Sequence, residues 1–85
     1  MSPFPAASPP ARSLDLRGER CPYTFIKARL AIEELRIGDT LEVVLDFVPA
    51  FSRVPASMAV IGQTLLAAVP EGEGGRRLLF RKDTE

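Results

Sequence analysis

The chain has 85 residues, with 11 lysines and arginines against 11 aspartates and glutamates, one cysteine and no histidine. A chain this short supports one domain with one thin core that buries about 60% of the unfolded surface, so chemistry belongs at the surface or is completed by a partner. Zero net charge lacks the basic footprint of a nucleic-acid binder, a lone cysteine closes no internal disulfide, and no segment approaches the roughly 20 apolar residues that cross a membrane.

Met1 to Ser13 carries Pro3, Pro5, Pro9 and Pro10 among small residues and reads as a flexible tail (residues 1–13). It holds no apolar core of signal-peptide length, so a reducing, cytoplasmic setting is expected. Leu14 to Leu16 alternate as a short strand does, and Gly18 permits a tight turn. Pro22 suits the first position of a helix, where its missing N–H would be unpaired anyway. Phe25, Ala28, Ile32 and Leu35 then follow at helical spacing and are expected to face the core. Gly38 fits the position that ends this helix.

Leu41, Val43 and Leu45 alternate with Glu42, Val44 and Asp46, which predicts a second strand with one face on the core. A second helix is expected from about Pro49 to Ile61, with Phe51, Val54, Met58 and Ile61 on one face and Gly62 ending it. Pro55 falls inside it, so the helix either kinks there or becomes regular only near Pro55. Thr64 to Val69 reads as a third strand and Arg77 to Lys82 as a fourth, with Pro70 to Gly75 as the loop between. Arg76-Arg77 and Arg81-Lys82 flank an apolar Leu78-Leu79-Phe80 and read as a solvated strand edge. The right-handed crossover makes the first two strands parallel, and the last two form a hairpin. The expected fold is an α/β two-layer sandwich, β-α-β-α-β-β, with a mixed four-stranded sheet and both helices on one face. The domain spans 14–82, with 83–85 a short C-terminal tail.

Cys21 is the residue that carries reactivity. It follows a strand and a turn and precedes Pro22 at a helix start, with Arg17, Arg20 and Lys27 close in sequence. A helix N-terminus and nearby cations favour a thiolate, the reactive form of cysteine. The absence of histidine excludes Cys–His and Ser–His–Asp catalysis within this chain, and no spacing suggests a metal site. The competing reading is a buried structural cysteine.

The run Leu14-Asp15-Leu16-Arg17-Gly18-Glu19-Arg20-Cys21-Pro22, then a helix, then Ile37-Gly38-Asp39-Thr40-Leu41 and a strand closing on Asp46, resembles the TusA/SirA-type sulfur-carrier family. Val54-Pro55 and Leu79-Phe80-Arg81-Lys82 extend the resemblance to about Leu14–Lys82. The resemblance implies the same fold and a sulfur carrier of sulfurtransferase type, with no bound cofactor and no metal. Cys21 would bear sulfur as a persulfide, and Pro22 and Asp46 match the family's proline and strand-end aspartate. The implied partners are a sulfur donor, such as a cysteine desulfurase or rhodanese-like protein, and an acceptor sulfur-relay protein. Neither direct nucleic-acid binding nor a membrane is implied. The family's usual Cys-Pro-x-Pro is here Cys21-Pro22-Tyr23-Thr24, a departure that bears on which partners are served.

Two roles stay open for several residues. Asp46 either caps a turn or orients the cysteine loop, and Arg17 and Arg20 either hold a persulfide anion or sit in a solvated turn. Lys27 is the weakest cationic candidate. Tyr23, Ile26 and Leu30 form a second apolar stripe starting beside Cys21, which either docks a partner or is covered by the N-terminal tail. The alternative function is a non-catalytic interaction module or thiol redox sensor acting through the same cysteine. RNA binding is disfavoured, because basic and aromatic residues are not interleaved.

Overall fold

The computed structural model describes residues 9–20 and 22–85. The expected tail at 1–8 and Cys21 itself lie outside the described residues. The elements run β1 (Arg12–Asp15), α1 (Tyr23–Glu33), β2 (Thr40–Leu45), α2 (Ala50–Val60), β3 (Thr64–Glu71) and β4 (Gly75–Arg81). This is the expected β-α-β-α-β-β order, and the sheet order is β1-β2-β4-β3. β1 and β2 are parallel, and the remaining pairs are antiparallel.

One core fills the space between sheet and helices. Leu41, Val43, Leu45, Leu78 and Phe80 project from the two central strands onto Ala28, Ala31 and Ile32 of α1 and Ala50, Val54 and Met58 of α2. Alternation along β2 therefore has the predicted phase. Its outer-face residues Glu42 and Val44 are nevertheless buried as well. β2 is flanked on both sides, and Arg77 of β4 spans Glu42 and Glu71 across that face.

Several boundaries and faces differ from expectation. β1 begins at Arg12, so two residues assigned to the tail pair with Leu41 and Glu42, while Leu16 leaves the strand but stays buried. The buried face of α1 is Thr24, Ala28, Ala31 and Ile32. Phe25 sits on the flank of that face, partly buried, and Thr24 takes the inward position. Gly38 does not end α1, whose cap is Glu34. It occupies the turn before β2 with φ +96° and donates its N–H to the carbonyl of Lys82 at 2.7 Å. α2 runs unbroken through Pro55. It closes on Gly62, whose φ of +87° suits a left-handed cap. The amides of Gly62 and Gln63 return to the carbonyls of Ala59 and Met58, which completes a Schellman motif.

β3 continues through Pro70 to Glu71, leaving only Gly72 to Gly74 as the turn. Proline is tolerated there because β3 is an edge strand. β4, by contrast, is central, so its basic residues are not a solvated edge. Arg77 lies in the Glu42–Glu71 network, and buried Lys82 donates from Nζ to the carbonyls of Glu33 and Leu35, capping the C-terminal end of α1. The end of the chain is also tied down. The Gln63 side chain accepts from the Asp83 amide at 2.7 Å and donates to the Thr84 carbonyl at 3.0 Å. None of the helices among the described residues is long and apolar enough to cross a membrane.

Candidate functional site

β1 and β2 are parallel, so the loop leaving β1 and the loop leaving β2 emerge at one end of the sheet. The first loop leads to Cys21. Leu16 donates to the Val44 carbonyl at 2.8 Å, and Glu19 then bonds back to the Leu16 carbonyl at 3.1 Å. Gly18 occupies the third position of that turn with φ +88°, a conformation that disfavours any side chain. The helix-type bonds of α1 begin on the two chain neighbours of Cys21. Thr24 donates to the Arg20 carbonyl at 3.2 Å, and Ile26 donates to the Pro22 carbonyl at 3.1 Å. Pro22 stands at the N-cap rather than at the first helical position.

Asp46, the first residue after β2, accepts the Gly18 amide on Oδ1 at 2.9 Å. This bond fastens the loop before Cys21 to the loop before α2. Either role open for Asp46 would use this bond, which caps the turn at Gly18 and links the cysteine loop to the loop before α2.

The cations sort themselves by their partners. Arg17 grips Asp15 through Nε at 2.9 Å and Nη2 at 2.7 Å, and its amide donates to the same carboxylate at 3.1 Å. Lys27 is ion-paired to Glu19, which ties the turn to the first turns of α1. Arg20 is exposed and has no carboxylate partner among the described residues. Sequence reasoning named Arg17 and Lys27 but missed the two acids that occupy them. β1 ends at Asp15, so strand alternation does not reach Arg17, and the pairing depends on the turn that follows.

The Arg17 side chain, and secondarily its amide, hold the Asp15 carboxyl well below the ordinary range, from 3.8 to about 2. A carboxyl depressed in the folded state contributes while the pH is above its unfolded value and stops contributing as the pH falls through its folded value. The Asp15 contact to the cysteine loop is thus expected to persist at pH 4 and to be lost only on approach to pH 2. An NMR titration should put the Asp15 midpoint near 2 in the intact protein and clearly higher in Arg17→Gln, which loses the side-chain bonds and keeps the amide donor. Equal midpoints in the two proteins would refute the assignment.

Tyr23, Ile26 and Leu30 are exposed, at 60%, 43% and 58%, on the side of α1 opposite its core residues. They do form the second stripe. Among the described residues no group of three or more acidic side chains gathers as metal ligands.

A family model described as Sulfurtransferase TusA matches residues 12–82. A protein of Archaeoglobus fulgidus named "Putative sulfur carrier protein" is 41% identical over 69 residues, covering 81% of this chain and 78% of its own length. A like-named protein of Methanocaldococcus jannaschii is 35% identical over 84% of this chain and 93% of its own. The YedF protein of Escherichia coli K12, which bears the same designation, is 33% identical over 82% and 91%. Among solved structures, a SirA-like protein from Desulfitobacterium hafniense superimposes with a TM-score of 0.75. That alignment covers 86% of this chain and 99% of that one at 19% identity, a likeness of fold. Sequence, fold and loop architecture agree: the chain belongs to the TusA sulfurtransferase family.

Proposed function

We propose that this protein is a sulfur carrier, which accepts sulfur on Cys21 as a persulfide and relays it to an acceptor protein. The observation that carries the reading is the 2.9 Å bond from the Gly18 amide to Asp46, which fixes the loop leading into Cys21 against its neighbour. Family membership supports the same chemistry. The Cys21 thiolate attacks the outer sulfur of a donor persulfide. A new S–S bond forms at Cys21, the donor's S–S bond breaks, and the donor cysteine leaves as a thiolate. Electrons balance without an external oxidant. Delivery repeats the exchange with the acceptor as nucleophile.

The chain has no histidine to serve as base, so the thiol must ionise through its surroundings. Arg17 and Lys27 are already paired with carboxylates, so of the three cations close to Cys21 in sequence Arg20 is the one without a carboxylate partner among the described residues. The donor is of the cysteine desulfurase or rhodanese type, the acceptor is a sulfur-relay protein, and exchange takes place in the cytoplasm.

Incubation with a cysteine desulfurase and cysteine, followed by intact mass measurement, tests the reading. The wild-type chain is expected to gain one sulfur and Cys21→Ser none. A wild-type chain that stays unmodified by a desulfurase and by inorganic polysulfide would favour the redox-sensor alternative.

A further inference from the structure

The end of the molecule that carries the cysteine loop combines exposed apolar side chains with arginines that no acid neutralises. Tyr23 opens α1, and Val48, 67% exposed, lies in the loop before α2. The Gly18–Asp46 bond joins the two loops directly, which brings the segments carrying these two apolar side chains to the same end of the sheet. Ile26 follows Tyr23 along α1.

Most basic side chains are committed: Arg12 to Glu34, Arg17 to Asp15, Lys27 to Glu19, Arg29 to Glu33, Arg77 to Glu42 and Glu71, and Arg81 to Asp83. Arg76 covers Phe51, and Arg20, Arg36 and Arg53 have no side-chain carboxylate partner among the described residues; Arg20 and Arg53 follow the N-terminal starts of the two helices at the cysteine end, whereas Arg36 lies beyond the C-terminal end of α1. Arg53 is in the second turn of α2, across that helix from Phe51, whose ring is covered by Arg76 at 4.9 Å. Both helices point their N-termini to this end, with no acidic residue in either first turn and no side-chain cap. The acids at this end are accounted for in part. Asp46 is bonded to Gly18, Asp15, Glu19 and Glu71 are paired, and Glu73 sits in the β3–β4 turn on the far side of the sheet from β1.

We infer that this surface docks a protein partner whose contact site sets an apolar patch among carboxylates, with Tyr23, Ile26 and Val48 meeting the apolar patch and Arg20 and Arg53 the acids. Aromatic and arginine side chains around an apolar centre are the composition that interface cores favour. Such a surface gathers an acidic partner over a Debye length and aligns it on the cysteine loop. The inference rests on the carrier reading and specifies its partner. It also adds α2 and the loop before it to a surface that the sequence located on α1 alone.

The test uses the full chain, a cysteine desulfurase as sulfur donor, and the second-order rate of sulfur loading at low and high salt. Raising the salt from about 0.05 to 0.5 M should slow wild-type loading roughly tenfold, since surface attraction is screened. Arg53→Glu should slow it about as much at low salt and flatten the salt dependence. Arg36→Glu, at the opposite end, makes the same charge change and should load normally. Thermal midpoints confirm that each variant is folded. Equal rates for Arg53→Glu and wild type would overturn the inference while leaving the carrier reading intact. Failure of polysulfide to load the wild-type chain would strike at the carrier reading instead. Faster loading by Arg53→Glu, or dimers in sedimentation that Ile26→Glu dissociates, would give the surface to a basic partner or to a second copy and refute the proposal.

Discussion

Replacing Phe80 with alanine is expected to cost the domain about 3–5 kcal/mol. Phe80 is fully buried in the central strand β4, in register with Leu41 on one side and Leu65 on the other. It heads the fully buried side chains by volume. Removing its ring leaves a void between sheet and helices that only backbone movement could fill. Stability scales at roughly 0.05–0.15 kcal/mol per residue, or about 4–13 kcal/mol for a chain of this length, so the loss is a large share of the total. Urea unfolding followed by circular dichroism reads it directly. Phe80→Leu, which keeps most of the volume, should lose clearly less. A loss below about 1 kcal/mol in Phe80→Ala would mean that the core closes over the void, contrary to this account.

Phe80 also illustrates what periodicity could and could not reveal. Alternation along Leu41, Val43 and Leu45 set the inward face of β2 correctly, because side chains on a strand must alternate. The order of elements followed from turn residues and the handedness of the crossover. Position within the sheet was not legible in the same way. Arg76, Arg77, Arg81 and Lys82 suggest an edge by their charge, yet β4 is central. Arg77 is accommodated by acids on the neighbouring strands and Lys82 by the carbonyls ending α1, while Arg81 pairs with Asp83 and Arg76 covers Phe51. The partners of Arg77 and Lys82 lie 6, 35, 47 and 49 residues away in sequence, and only one of them is near enough to be seen locally. Thr24 escaped for a different reason. Apolar periodicity marks only apolar positions, whereas Thr24 buries completely in the first turn of α1, one position before the expected Phe25.

The candidate site was legible in its residue types and hidden in its pairings. Cys21, Pro22, Asp46 and the three nearby cations stood out in the sequence. That Asp15 and Glu19 take two of those cations depends on side-chain direction at a turn, which spacing leaves undetermined. Arg20 is distinguished only by what its neighbours have already bound. The stripe of Tyr23, Ile26 and Leu30 was visible as helical spacing. Its continuation onto the loop before α2 arises from the parallel pairing of β1 and β2, which brings the ends of two distant segments together.

Asp46→Ala should slow sulfur loading of Cys21 about tenfold while costing little stability. The bond it removes, from Gly18 to Oδ1, is the described contact that holds the first loop to the second through a side chain. A hydrogen bond to a charged acceptor contributes at most about 1.5–3 kcal/mol, and because Asp46 is exposed and screened, about 1 kcal/mol is the expected loss in folding free energy. A similar energy spent on fixing a loop changes a rate by close to tenfold, since about 1.4 kcal/mol corresponds to that factor. The effect should therefore appear in the loading rate at temperatures where the fold is fully formed. Asp46→Asn separates latch from charge, because its amide oxygen can still accept the Gly18 amide and should keep most of the rate. If Asp46→Asn were as slow as Asp46→Ala, the carboxylate charge rather than the hydrogen bond would be the active element. If Asp46→Ala loaded as fast as wild type, Asp46 would be a turn cap and nothing more. Gly18→Ala probes the same contact from the other side. A side chain meets open space there, but φ +88° strains any residue except glycine, so the turn itself must shift. It should slow loading as Asp46→Ala does, and combining the two should add little, because both release the same loop.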